Sequence, residues 1–242
     1  MEFITVEQRQ RVGLVTFRRP EVMNAWNRAM RHEIVAACTA LEHEPAVGAV
    51  VFTGGGDRAF GAGQDLREPG PGSAEAAAAW VAEWRALFGA LRDMSKPTVA
   101  AVNGVAAGSS FQFALLADFR VGHPGVRMGQ PEINAGVASS MGPWAIHAVL
   151  GHALAYDLAL TGRMMDGGEC IRHGLLSRVV AREGVLDEAL RLAGGLAAKP
   201  PLAVALTKRR LARLTDAGFE ETFVLWTENL QATLAARRPT PS

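Results

Sequence analysis

The chain has 242 residues, of which 49% are hydrophobic and 20% charged, with 25 Lys and Arg against 24 Asp and Glu. That length suits one large domain or two small ones, and the apolar content excludes a disordered chain. The near-cancellation of charge excludes a wholly basic, nucleic-acid-coating protein.

Ile4–Gln8 and Val12–Phe17 are β-rich runs across a short polar turn and read as a hairpin. Pro20 and Asn24 mark a loop. Between Asn27 and Glu42, the residues Met30, Ile34, Ala37, Cys38 and Leu41 recur at helical spacing, and Pro45 ends that helix. Ala49–Thr53 is a short apolar strand stopped by Gly54, Gly55 and Gly56, and Gly61–Ser73 is a Gly/Pro-rich loop. A helix is expected from Ser73 to Met94, with Trp80, Trp84, Leu87 and Leu91 as an apolar stripe that reads as core packing. After Pro97, Thr98–Val102 reads as a strand, Ser109–Leu116 as a buried helix, and Phe119–Gly122 and Val126–Met128 as short strands. Beyond Gly142 the pattern is mostly helical, with one strand at Ser177–Val180 and closing helices at Gly184–Leu196, Pro201–Leu214 and Phe219–Ala236. The alternation implies an α/β core over residues 1–182 and a helical C-terminal region over 183–242. In the last helix Phe223, Trp226, Leu230 and Leu234 share one face, and that stripe is expected to be buried against this subunit's core or a neighbour's.

Two cysteines, Cys38 and Cys170, cannot make a disulfide framework and read as buried thiols. His32, His43, His123, His147, His152 and His173 show no metal-ligand pairing, so no metal is expected. The start carries neither a basic n-region nor an apolar h-region. Ala145–Leu160, interrupted by His147, His152 and Asp157, falls short of the ~18 uncharged apolar residues of a membrane helix. No membrane partner and a cytoplasmic location are expected.

Three patches can carry chemistry. In Ala59-Phe60-Gly61-Ala62-Gly63-Gln64-Asp65-Leu66 a glycine-rich turn frees backbone N–H groups to face an anion, although alone it also reads as a surface turn. It lacks the Gly-Lys-Ser/Thr of a phosphate loop. In Ala101–Ser110 a strand ends in small residues just before a helix, whose free N–H groups and dipole favour a developing oxyanion; close packing alone would also use small residues. In Met128–Val137, Glu132 stands among apolar and small residues, where desolvation raises a carboxyl towards the range of a general base; a solvated loop glutamate is the plainer alternative.

Taken together, these patches resemble the enoyl-CoA hydratase/isomerase, or crotonase, superfamily. The resemblance begins at Arg19-Pro20, Asn24 and Ala25, runs through the three patches, and closes with Leu160–Arg163 and Gly174–Val180. It implies a ββα-superhelix core with a helical C-terminal region that builds homotrimers, often paired into hexamers. It implies an acyl-CoA substrate, with coenzyme A present as part of the substrate and no permanently bound cofactor. By the same resemblance the amides of Ala62 and Ser109 form an oxyanion hole. Asn24, Ala25, Gly63, Gln64, Asp65, Leu66 and Gly108 lie at the CoA and substrate site.

Departures from the family shape the expected reaction. Hydratases of the family carry two glutamates; the second corresponds to Glu132, but twenty residues earlier stands Gln112. Glutamine can hydrogen-bond a water but cannot exchange a proton as a carboxyl group does. A double-bond shift needs only one base and an oxyanion hole. The expected activity is therefore an enoyl-CoA isomerase with Glu132 as sole acid/base. The alternatives are a specialised hydratase or lyase in which Gln112 holds water, or a non-catalytic CoA- or RNA-binding homologue. A lyase of the hydroxycinnamoyl type is disfavoured because the single tyrosine, Tyr156, lies outside the patches. Ser109 stands where the family usually has glycine, and would be strained if that position required a positive φ. Ser139 and Ser140 are expected to shape the acyl pocket, and a serine at 140 excludes the aspartate nucleophile of the dehalogenase branch.

Overall fold

In the computed structural model, which describes residues 1–236, strands β1 (Ile4–Arg9) and β2 (Val12–Phe17) form the antiparallel hairpin. Helix α1 (Arg28–His43) is started by Asn27, whose side chain accepts the Met30 N–H at 2.9 Å. Three units of two strands and a helix follow: β3 (Ala49–Gly54), β4 (Ala59–Gly61) and α2 (Ala74–Arg92); β5 (Thr98–Ala101), β6 (Val105–Ala107) and α3 (Ser109–Leu116); β7 (Phe119–Gly122), β8 (Arg127–Gly129) and α4 (Met141–Leu150). A 3₁₀ turn over Pro131–Ala135 interrupts the third. Then come α5 (His152–Thr161), β9 (Met164–Asp166), α6 (Gly167–Arg172), β10 (Arg178–Val179), α7 (Val185–Ala197), α8 (Pro201–Arg213) and α9 (Asp216–Ala236).

Each unit gives its first strand to a six-stranded sheet, ordered β1-β2-β3-β5-β7-β10, and its second to a four-stranded sheet, ordered β4-β6-β8-β9. From β2 to β10 the larger sheet is parallel, as strand–helix crossovers require. Two cores follow from the period-2 alternation of its strands. Val50 and Phe52 face the main core with α1, α2 and α3, whereas Ala49, Val51, Val99 and Val121 face Val185, Ala189, Ala193 and Ala197 of α7. Helix α7, expected to belong to the C-terminal region beyond residue 182, therefore covers the outer face of the core sheet.

The three-residue strands β4, β6 and β9 are not expected from the sequence, because a run of three residues is too short to show a period. His147 and His152 lie on separate helices, since Gly151 breaks the chain at φ 85°; their rings meet edge to face at 5.8 Å. Cys38 and Cys170 are buried, and burial pushes both thiols up to about 12. Among the described residues no single helix is long and apolar enough to cross a membrane, and no group of three or more His, Cys, Asp or Glu could hold a metal.

The stripe on α9 packs on this chain's own core. Phe223 is buried, and Trp226 and Leu230 are partly buried against the core cluster, with Trp226 meeting Trp84 at 5.9 Å and Phe223 at 6.3 Å. Arg92 fastens the region further, stacking on Phe219 and pairing with Asp216 at 2.7 Å. Replacing Trp226 and Leu230 together by Asp is therefore expected to cost about 3–5 kcal/mol of stability, read as a lower thermal midpoint. Unchanged melting with a smaller sedimenting species would instead place the stripe at a subunit interface.

Candidate active site

The site forms where α3 begins. Gly108 precedes that helix at φ 54°, a left-handed turn that glycine adopts without strain. A Cβ on Gly108 would also sit 3.2 Å from Glu132 Oε1, a tight contact that would push the carboxylate back by a few tenths of an ångström. Ser109 is the first helical residue and has no positive φ, so the strain considered for it does not arise. No side chain caps α3, which leaves its first N–H groups without an intrahelical partner.

The glycine-rich turn packs against this helix end. The Gly63 N–H donates to Ser110 Oγ at 3.1 Å, and a Cβ on Gly63, at φ 89°, would lie 3.2 Å from the Ser109 nitrogen. One expectation is corrected here. The Ala62 N–H donates to the Met23 carbonyl at 2.9 Å and is not available to a ligand. An amide left unpartnered in this turn, among the described residues, is that of Gln64: Trp26 bonds to its neighbours on either side, Gly63 O and Asp65 N, and passes over it.

Beneath these amides lies a cavity of about 320 Å³. Of the residues singled out in the sequence, Ala62, Gln64, Leu66, Gly108, Ser109, Gln112, Glu132 and Ser139 line it, together with Trp84, Pro131, Val137, Ala138 and Trp226, which the sequence did not single out for a site. Trp84 was read as core packing and is both: it is buried, and it forms a wall. Its partner Trp226 lies 142 positions away in sequence, with no local signal linking the two.

Other expected site residues do not line the cavity. Asn24 is fully buried and ties the loop internally, accepting the Arg19 N–H at 2.9 Å and donating to the carbonyls of Gly55 at 3.0 Å and Ala59 at 2.9 Å. The Ala25 carbonyl accepts from the Arg19 guanidinium. Asp65 pairs with Arg67 at 2.8 Å and Arg19 at 2.9 Å, and the Arg67 hydrogen bond holds its carboxyl well below the usual range. Ser140 turns to α9, where its Oγ accepts from Asn229 Nδ2 at 3.2 Å.

Glu132 is half-buried and, among the described residues, is the only ionisable side chain lining the cavity. Burial pushes its carboxyl from an ordinary 4.5 up to about 7, against the opposing hydrogen bonds of Ser139 and Gln112. The Gln112 amide donates to Oε1 at 3.1 Å, while its own Oε1 is buried without a partner. Ser139 Oγ accepts the Gln130 amide at 3.0 Å and the Gly142 N–H at 3.2 Å, which fixes it beside the carboxylate. Such a site can bind a carbonyl oxygen at free amides and move a proton at one carboxylate.

The raised carboxyl has a consequence for stability. Between pH 4.5 and about 7 the folded chain holds a proton that the unfolded chain has lost, so stability falls as pH rises through that window. Glu132→Gln is therefore expected to melt above the wild type at pH 8 and level with it at pH 4, in scanning calorimetry at both values.

The model of the enoyl-CoA hydratase/isomerase family matches residues 7–237. A probable enoyl-CoA hydratase of Mycobacterium bovis is 37% identical over 221 residues, covering 91% of this chain and 85% of that protein. A crotonyl-CoA hydratase of Syntrophomonas wolfei is 34% identical over 208 residues, covering 86% and 80%. Among solved structures, an enoyl-CoA hydratase/isomerase from Mycobacterium paratuberculosis superposes with a TM-score of 0.85 at 26% identity, covering 95% of this chain and 94% of that one. An enoyl-CoA hydratase subunit from Geobacillus kaustophilus superposes at 0.80 with 33% identity, covering 99% and 98%. With its repeating ββα core, its C-terminal helices and these relatives, the chain belongs to the enoyl-CoA hydratase/isomerase, or crotonase, family.

Proposed function

We propose that this enzyme shifts the double bond of an enoyl-CoA thioester, using Glu132 as its only proton carrier. The carrying observation is that, among the described residues, no second ionisable side chain lines the cavity. Glu132 takes a proton from the carbon beside the thioester carbonyl, and the C–H electrons move into a dienolate with its charge on the thioester oxygen. The free N–H groups of Gln64 and Ser109 receive that charge, a role in which Gln64 replaces the expected Ala62. The same carboxyl then returns the proton two carbons further along. A carboxyl near 7 is close to equally able to take and to give a proton at neutral pH. No bound cofactor enters this scheme, and coenzyme A takes part as the substrate's own thioester.

Hydration is the second reading. It is supported by the unpartnered Oε1 of Gln112, an acceptor for a water, and by the names of the hydratase relatives. We also carry forward the homotrimer or hexamer that the resemblance implies. Helix α8 supports self-association: it buries no residue within the chain and leaves Leu202, Leu206 and Leu211 exposed.

Incubation with 3-enoyl- and 2-enoyl-CoA panels, followed through the absorbance of the conjugated thioester, separates isomerisation from hydration. Glu132→Gln is expected to lose about 10²–10⁴-fold in turnover. Retention of more than about a tenth of the activity would remove the single-carboxylate mechanism. Because the base must be ionised, kcat/KM for isomerisation is expected to fall as pH drops through about 7. Gln112→Glu is expected to raise hydration more than isomerisation, and equal effects would mean that residue 112 does not face the water. Sedimentation at micromolar concentration is expected to give a trimer or hexamer, and a monomer would overturn the assembly.

A further inference from the structure

The cavity wall contains a serine, Ser109, whose hydroxyl the scheme above leaves idle. Ser109 is 4% exposed and lines the cavity, yet its Oγ is buried with no hydrogen-bond partner among the described residues. Its neighbour shows what a committed serine looks like here: Ser110 Oγ accepts the Gly63 N–H at 3.1 Å. Ser109 has no such duty. The left-handed turn is carried by Gly108, so residue 109 sits in ordinary helical backbone that alanine would fill without burying a polar atom. A buried hydroxyl without a partner is costly, and the cost is relieved when an acceptor arrives with a ligand.

We propose that the Ser109 hydroxyl donates a third hydrogen bond to the thioester oxygen, beside the amides of Gln64 and of Ser109 itself. This rests on the enoyl-CoA thioester reading of the cavity. The Ser109 N–H is already free at the uncapped start of α3, in contact with the Gly63 turn that carries Gln64. Rotation about a single bond, Cα–Cβ, swings the hydroxyl towards whatever oxygen that N–H binds. The bond is strongest when the oxygen carries the dienolate charge, because a charged acceptor strengthens a hydrogen bond roughly twofold. Its contribution therefore belongs to the transition state more than to substrate binding.

The experiment compares wild type with Ser109→Ala, Ser109→Gly and Ser109→Thr. The readouts are kcat and KM on a 3-enoyl-CoA, exchange of the α-proton in D₂O, and the thermal midpoint. Ser109→Ala and Ser109→Gly are expected to lose about 10–10²-fold in kcat and in exchange, with KM within about threefold of wild type, and Ser109→Ala to melt at or above the wild type. Ser109→Thr, which keeps the hydroxyl, is expected to stay within about fivefold of wild type. A Ser109→Ala enzyme within threefold of wild-type kcat overturns the proposal, as does a Ser109→Thr enzyme no better than Ser109→Ala. Failure of the double-bond-shift reading is seen separately, as a wild type that hydrates but does not isomerise. The same variants are then compared on hydration, which also places charge on the thioester oxygen.

Discussion

One electrostatic conflict organises this molecule: a single carboxylate, Glu132, held in a mostly apolar cavity. Burial takes the carboxyl out of contact with bulk water, so the charged form is disfavoured and the carboxyl rises to about 7. The hydrogen bonds from Gln112 and Ser139 moderate that penalty without supplying a countercharge. A Lys or Arg in their place would draw the carboxyl back down and weaken it as a base. Neutral donors keep the group anchored while leaving it close to balance between its two protonation states.

Holding the carboxylate against α3 requires the two sheets to be locked around it. Phe17, Trp26, Phe52, Phe60 and Phe113 form a buried cluster of edge-to-face rings, with centroids 5.1–6.2 Å apart. Phe60 lies just before the glycine-rich turn and Phe113 just after Gln112, so this cluster fixes both sides of the cavity. Asn24, with both amide hydrogens donated to Gly55 and Ala59 and its oxygen accepting from Arg19, does the same for the loop above. Its place in the family pattern thus reflects architecture more than ligand contact.

The hairpin, α1, α2, α3 and β7 were readable from periodicity, caps and breakers, because those are local signals. Glu132 and Gln112 were readable through a resemblance and a count of twenty positions. The free amide was not. Which N–H is unspent depends on Met23 reaching Ala62 and on Trp26 straddling Gln64, and both are tertiary contacts across a loop. The wall of Trp84 and Trp226 was hidden for the same reason, and the Phe223–Leu234 stripe announced burial without naming the surface that would cover it.

Trp226 carries a consequence for biosynthesis. It belongs to α9, the last described helix, yet it lines the same cavity as Glu132. While the chain is being made, the sheets, the glycine turn and the helix end can all form before α9 has left the ribosome. The pocket stays open on one side until then, with Trp84 bare and Glu132 better hydrated. Without α9 the cavity lacks its Trp226 wall, and a better hydrated Glu132 would return towards its ordinary 4.5 and become a weaker base. The cavity is therefore finished only when α9 has docked on α2.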